Sequence, residues 1–219
     1  MASESSLDPL RNVTIPPVGL EGCVGVPVAP KGIVLFAHGS GSGRLSPRNK
    51  FVAQGLRQNG IATLLFDLLT EEEADDRRNV FDIALLAERL SMATSWVRQD
   101  SETARLNIGY FGASTGAAAA LVAAAAEGDR VAAVVSRGGR PDLAGAALVA
   151  VKAPTLLIVG GNDTEVLGLN RAALAELHCP KQLSVVPGAT HLFEEPGALE
   201  AVVEHARGWF LMHFARVRR

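Results

Sequence analysis

The stretch LNIGYFGASTGAAAALVAAAA, residues 106–126, decides the fold. It opens as a continuous apolar run, Leu106–Phe111, passes through Gly112-Ala113-Ser114-Thr115-Gly116 and leaves as an alanine-rich segment of helical composition. An apolar run without polar alternation reads as a strand covered on both faces. Strand, glycine-flanked turn and helix form the setting in which a GxSxG match carries a nucleophilic serine rather than an incidental one. Bulky neighbours would clash in so tight a turn, hence the glycines. The turn lifts the Ser114 hydroxyl above the sheet edge, where the helix N-terminus favours developing negative charge.

Working outward, five further apolar runs repeat the strand pattern: Gly32–Ala37, Ile61–Phe66, Val131–Ser136, Thr155–Gly160 and Leu183–Pro187. Helical candidates lie between them. The first starts at Ser46 as N-cap with Pro47 in the first turn and stops at Gly60. The others are Asn79–Val97, Thr115–Ala126, Glu165–His178 and Pro196–Phe214. Six buried strands joined by helices predict a doubly wound α/β sheet. Two more strand candidates, near Val13 and Val24, precede them. The segment Glu71–Asp76 reads as an exposed loop. The connection from Ser136 to Lys152 has room for one small helix and not for a lid domain. With no repeat and no linker, residues 1–219 are expected to form one domain, with residues 1–10 loose.

Composition narrows the chemistry. The chain is 48% hydrophobic and 20% charged with a net charge of −2. That balance gives no footprint for nucleic acid or for an anionic membrane. The polar, acidic start MASESSLDPL lacks the pattern of a secretory signal, and the apolar run after Ser114 is too short to cross a bilayer. A cytoplasmic location is expected. Cys23 and Cys179 show no metal spacing and read as free thiols, with one disulfide as the alternative. Neither a metal nor an organic cofactor is expected.

A serine hydroxyl needs a base, and the base needs a group that fixes its tautomer. His191 follows the last strand and precedes the last helix, so its loop opens at the carboxyl edge of the sheet, as Ser114 does. His178, His205 and His213 belong to helical segments. Asp163, after the run Thr155–Gly160, puts a carboxylate at the same edge. Its rivals are Asp142, which also suits a cap on the helix near Leu143, and Glu165, which suits a helix N-terminus. The oxyanion donors are expected to be the backbone N–H groups of Thr115 and Ser40, with Gly41 in reserve. The loop His38-Gly39-Ser40-Gly41-Ser42-Gly43 could instead cradle phosphate, but no Lys-Ser/Thr pair closes a Walker motif and Arg44 stands where GxGxxG needs glycine. His38 is expected to pin this loop.

The HGSGSG loop, the GASTG turn, the GGND turn and the PGATHLFEEPG segment together resemble the α/β-hydrolases, and within them the compact dienelactone hydrolase-like group. The resemblance runs from about Val13 to Phe214. It implies an eight-stranded, mostly parallel sheet with helices on both faces, an antiparallel second strand and no large lid. Dienelactone hydrolases carry cysteine where this chain has Ser114, so the resemblance brings the fold and the layout of Ser114, Asp163 and His191 without dienelactone as substrate.

The expected function is therefore cleavage of a small carboxylic ester, or a similar acyl bond, through Ser114, His191 and Asp163 and an acyl-enzyme. Thioester cleavage, acyl transfer and perhydrolysis suit the same three residues, and a non-catalytic binding protein is the account from another class. The partner is a small acyl substrate. Arg44 and Arg137 are candidate substrate contacts near the catalytic edge, as salt bridges to Asp67 or Asp142 are the competing use. Glu194 and Glu195 are expected to stabilise the N-terminus of the last helix. The number of subunits is not legible in the sequence.

Overall fold

The computed structural model describes residues 10–215. Apart from Leu10, the segment expected to be loose lies outside the described residues. The chain forms eight strands: β1 (Arg11–Ile15), β2 (Leu20–Gly25), β3 (Ile33–Ala37), β4 (Ala62–Phe66), β5 (Ile108–Ala113), β6 (Val131–Arg137), β7 (Thr155–Gly160) and β8 (Lys181–Val186). They lie in one sheet in the order β1-β2-β4-β3-β5-β6-β7-β8. Only β2 runs antiparallel to its neighbours, as the resemblance implies.

The helices are α1 (Pro47–Gln58), α2 (Glu71–Ala74), α3 (Arg77–Val80), α4 (Ile83–Val97), α5 (Thr115–Glu127), α6 (Thr164–Glu176) and α7 (Ala198–Phe214). Side chains of the inner strands alternate between two cores. Ile33, Leu35 and Ala37 pack with α4 and α5, while Val34 and Phe36 pack with α1 and α7. The chain leaves β3 towards β4 and later returns to the other side of β3 as β5. Loops after β3 and β5 therefore diverge at the carboxyl edge and open a crevice there.

Ser46 caps α1 as expected, accepting from the Asn49 N–H, with Pro47 in the first turn. Two expectations need correction and a third is refined. The expected helix Asn79–Val97 is two helices, because Asp82 leaves the helical path and accepts from Leu85 N–H as the N-cap of α4. Glu71–Asp76 contains α2, held by a reciprocal cap in which Thr70 Oγ1 accepts from Glu73 N–H and Glu73 accepts from Thr70 N–H. The connection after β6 is a 3₁₀ stretch, Pro141–Ala150, kinked at Gly145. Cys23 and Cys179 are both free. Cys23 lies in β2 and Cys179 bonds Thr155 of β7, five strand spacings or roughly 24 Å away.

Helix α5 is alanine-rich because it lies hard against the sheet: Ala117, Ala118, Ala119 and Ala120 are fully buried. Gly116 marks the closest approach. A Cβ there would sit 2.1 Å from the Ala37 carbonyl oxygen and 2.5 Å from that of His38. Both obstacles are main chain, so no side chain can move aside. Gly116→Ala is expected to cost about 3 kcal/mol or more, lowering the melting temperature by roughly 10 °C. A calorimetric scan showing an unchanged transition would refute this packing.

Candidate active site

Strand β5 ends at Ala113 and α5 starts at Thr115, leaving Ser114 alone to make the turn. It does so at φ 51°, ψ −124°, in a region that side chains avoid. Such a residue holds of order 1–3 kcal/mol of strain. The surroundings enforce it. Ser114 N–H donates to Arg137 O at 3.3 Å, and Ser114 O accepts from Ala117 N–H at 3.1 Å and Arg140 N–H at 3.0 Å. Gly39 lies against the serine, since a Cβ there would be 2.8 Å from Ser114 Cβ and 3.5 Å from its Oγ.

His191 and Asp163 meet as the sequence suggests, with Nδ1 2.7 Å from Asp163 Oδ2. A carboxylate only accepts, so Nδ1 carries the proton and Nε2 is left as the basic nitrogen. Asp163 stands at the N-cap of α6 but makes no capping bond, because its carboxylate is turned to the imidazole. Neither rival touches His191. Asp142 does not cap a helix but holds Arg140 in two bonds of 2.9 and 2.7 Å, and Glu165 sits in the first turn of α6.

The loops carrying Asp163 and His191 are tied together. Asn162 N–H donates to Ala189 O and its side chain to Gly188 O, both at 2.9 Å. Gly160 permits the approach, as a Cβ would stand 2.4 Å from Ala189 O. The Glu195 side chain does not serve α7, which begins at Ala198. It accepts from Thr190 N–H and Oγ1–H at 3.0 and 2.6 Å and so braces the His191 loop. Those bonds hold its carboxyl below the usual range. Glu194 is likewise diverted, pairing with Arg48 at 3.0 Å.

His191 reaches the Ser114 corner through Gly138: a Cβ at residue 138 would be 3.6 Å from His191 Nδ1, two residues before the Arg140 N–H that binds Ser114 O. No hydrogen bond joins Ser114 Oγ to His191 among the described residues. Contacts of this type are often long before substrate binds. His191 is 39% exposed and Asp163 13%, so the basic side of the pair faces out and the acidic side is sheltered.

The loop after β3 is pinned as expected. His38 Nδ1–H donates to Gly39 O at 3.1 Å and Nε2 accepts from Leu68 N–H at 3.0 Å. Burial pushes its pKa down, which keeps this tautomer neutral. Thr115 N–H lies at the first position of α5, where helix amides lack intrahelical partners. Ser40 N–H is not open: it donates to Thr115 Oγ1 at 3.0 Å. Beyond Ser40 lies a cavity of about 240 Å³ with Leu69, Ala74, Val80 and Leu86 in its wall.

Arg44 is committed elsewhere. Its guanidinium pairs with Asp67 and, at 2.9 Å, with Glu21, while its N–H donates to Asp67 Oδ1 at 2.7 Å. Its position is thus that of a structural ion pair and not of an open substrate contact. Arg137 differs, being buried without a carboxylate partner among the described residues. No group of three His, Cys, Asp or Glu side chains gathers as metal ligands would among the described residues. No described helix is long and apolar enough to cross a membrane.

The sequence profile of the dienelactone hydrolase family matches residues 20–212. The crystal structure of dienelactone hydrolase from Anabaena variabilis superposes with a TM-score of 0.90 at 55% identity, covering 94% of this chain and 97% of that one. Est1E from Butyrivibrio proteoclasticus gives a TM-score of 0.76 at 17% identity, covering 94% of this chain and 99% of that one, a likeness of fold. Two Mycobacterium tuberculosis proteins under the provisional name of phosphoribosyl transferase are 60% identical over 209 residues, which is 94% of this chain and 47% of each of them. The chain spans about half the length of these curated relatives.

Proposed function

Because the chain belongs to the dienelactone hydrolase family, we propose that it is a serine hydrolase that cleaves a small carboxylic ester through Ser114, His191 and Asp163. One observation carries the proposal: a serine strained to φ 51° on a strand-to-helix turn, at the corner where the His191–Asp163 pair stands. Strain of that kind persists where the surroundings overdetermine it, and it clusters at reacting groups.

In the proposed cycle His191 Nε2 takes the Ser114 proton as Oγ attacks the acyl carbon. Thr115 N–H and Ser40 N–H hold the oxyanion, each such donor contributing about 3 kcal/mol in comparable enzymes. Rotation of the Thr115 side chain frees the Ser40 N–H, which then donates a hydrogen bond to the substrate oxygen. The C–O bond to the alcohol breaks, the alcohol leaves with the proton from His191, and Ser114 keeps the acyl group. Water, deprotonated by the same imidazole, releases the acid and restores the serine. Asp163 holds Nδ1–H throughout and stabilises the imidazolium. The cavity beside Ser40 suits a short apolar group of the ester.

The phosphoribosyl transferase name belongs to chains about twice this length, and the hydrolase reading concerns the half they share with this one. A fluorophosphonate probe and p-nitrophenyl acetate test it together. One label per chain and a burst of about one nitrophenol per chain are expected. A protein that takes up neither label nor ester would overturn the reading and favour a binding role.

A further inference from the structure

Arg137 lies buried beside the nucleophile with no anion to neutralise it among the described residues, and we infer that it receives an anionic substituent of the substrate, a carboxylate or a phosphate. The inference rests on the hydrolase reading for the word substrate. Its placement follows from the strand. Arg137 pairs with Ala113, the residue before Ser114, and its carbonyl accepts the Ser114 N–H. The next residue, Gly138, touches the His191 loop, with a Cβ position 3.1 Å from His191 O. Along β6, Ala133 and Val135 belong to the core under α1 and α7, so alternation turns Arg137 to that same side.

The residue is only 8% exposed, and its Nε and Nη1 are sealed with no acceptor among the described residues. Nη2 is the nitrogen left unsealed. The charged group that bears on it is another cation, Arg48 of α1, itself tied to Glu194 at 3.0 Å. Burial, and secondarily Arg48, push the Arg137 pKa down to about 10, so the charge is still present at neutral pH. Arg44 has Asp67 and Arg140 has Asp142, whereas Arg137 has no carboxylate partner among the described residues. An apolar side chain would fill the space without the cost of desolvating a charge. A native group left unsatisfied in this way calls for an absent partner. Through Nη2 the guanidinium can donate a charge-assisted hydrogen bond to one oxygen of a carboxylate or phosphate.

The test compares p-nitrophenyl hydrogen glutarate with neutral p-nitrophenyl valerate at constant ionic strength. The wild type should favour the anionic ester by about tenfold or more in kcat/KM, through KM, as a charge-assisted bond predicts. Arg137→Gln should bring that ratio towards one, and Arg137→Lys should keep part of it. A second readout needs no turnover: glutarate and inorganic phosphate should each raise the wild-type melting temperature above a sodium chloride control, and the larger shift identifies the preferred anion. If neither ester is cleaved but an anion stabilises the wild type and not Arg137→Gln, the hydrolase reading falls and the anion site stands. If Arg137→Gln does not fold, the wild-type ratio and the Arg137→Lys shifts decide. A wild type indifferent to ester charge and to both anions overturns the proposal, as do equal anion shifts in wild type and variant.

Discussion

Ser114→Ala is expected to abolish labelling by fluorophosphonate and to lower ester turnover by about a million-fold in kcat, the loss seen when a serine protease of similar chemistry is stripped of its serine. The protein should still fold, because the turn is set by contacts to the Ser114 main chain and not by its hydroxyl. Ser114→Gly sharpens the result. Glycine tolerates φ 51° where alanine does not, so the glycine variant should be more stable than the alanine variant by about 1 kcal/mol while equally inactive. Labelling that persists in either variant would place the nucleophile elsewhere. Thermal melts of the pair, run beside the activity assays, separate the chemical role of the hydroxyl from the strain of the backbone.

Asp163→Asn should lower kcat by about ten-thousand-fold, since an amide neither fixes the same tautomer nor offsets the imidazolium charge. Stability should hardly fall. Asp163 makes no capping bond now, and asparagine at that position is free to cap α6, an interaction of about 1 kcal/mol. Glu165→Gln, two residues on and away from the imidazole, is the comparison, with a change in kcat of less than about threefold. A pre-steady-state measurement of acylation in both variants checks the pair. An Asp163→Asn enzyme within tenfold of wild type would mean that His191 is held by something other than this carboxylate.

Much of this was legible in the chain. The apolar runs found the buried strands because a strand covered on both faces has no polar alternation to blur it, and the glycine-flanked serine announced the turn. His191 and Asp163 followed from their places after the last two strands. What stayed hidden depends on partners far apart in sequence. The Ser40 amide looks free until Thr115, 75 positions on, is seen to hold it. Arg44 looks like a substrate contact until Asp67 and Glu21 close on it. The break between α3 and α4 was masked by apolar residues that keep helical spacing across Phe81 and Asp82. Short α2 has no buried face for periodicity to reveal, and the Thr70/Glu73 pair was its only sign.

The contact of Gly116 with the main chain after β3 has a mechanical corollary. Since only main chain separates the two, the start of α5 beside Ser114 and the loop bearing Ser40 are packed without slack. Accommodation of differently shaped substrates then falls to residues 70–82, tied to α4 by Arg89, which donates to Glu73 at 2.6 Å, and braced internally by Asn79 Nδ2–H, which donates to Glu73 O at 2.9 Å. Selectivity can drift through that wall while the Ser114 turn stays constant.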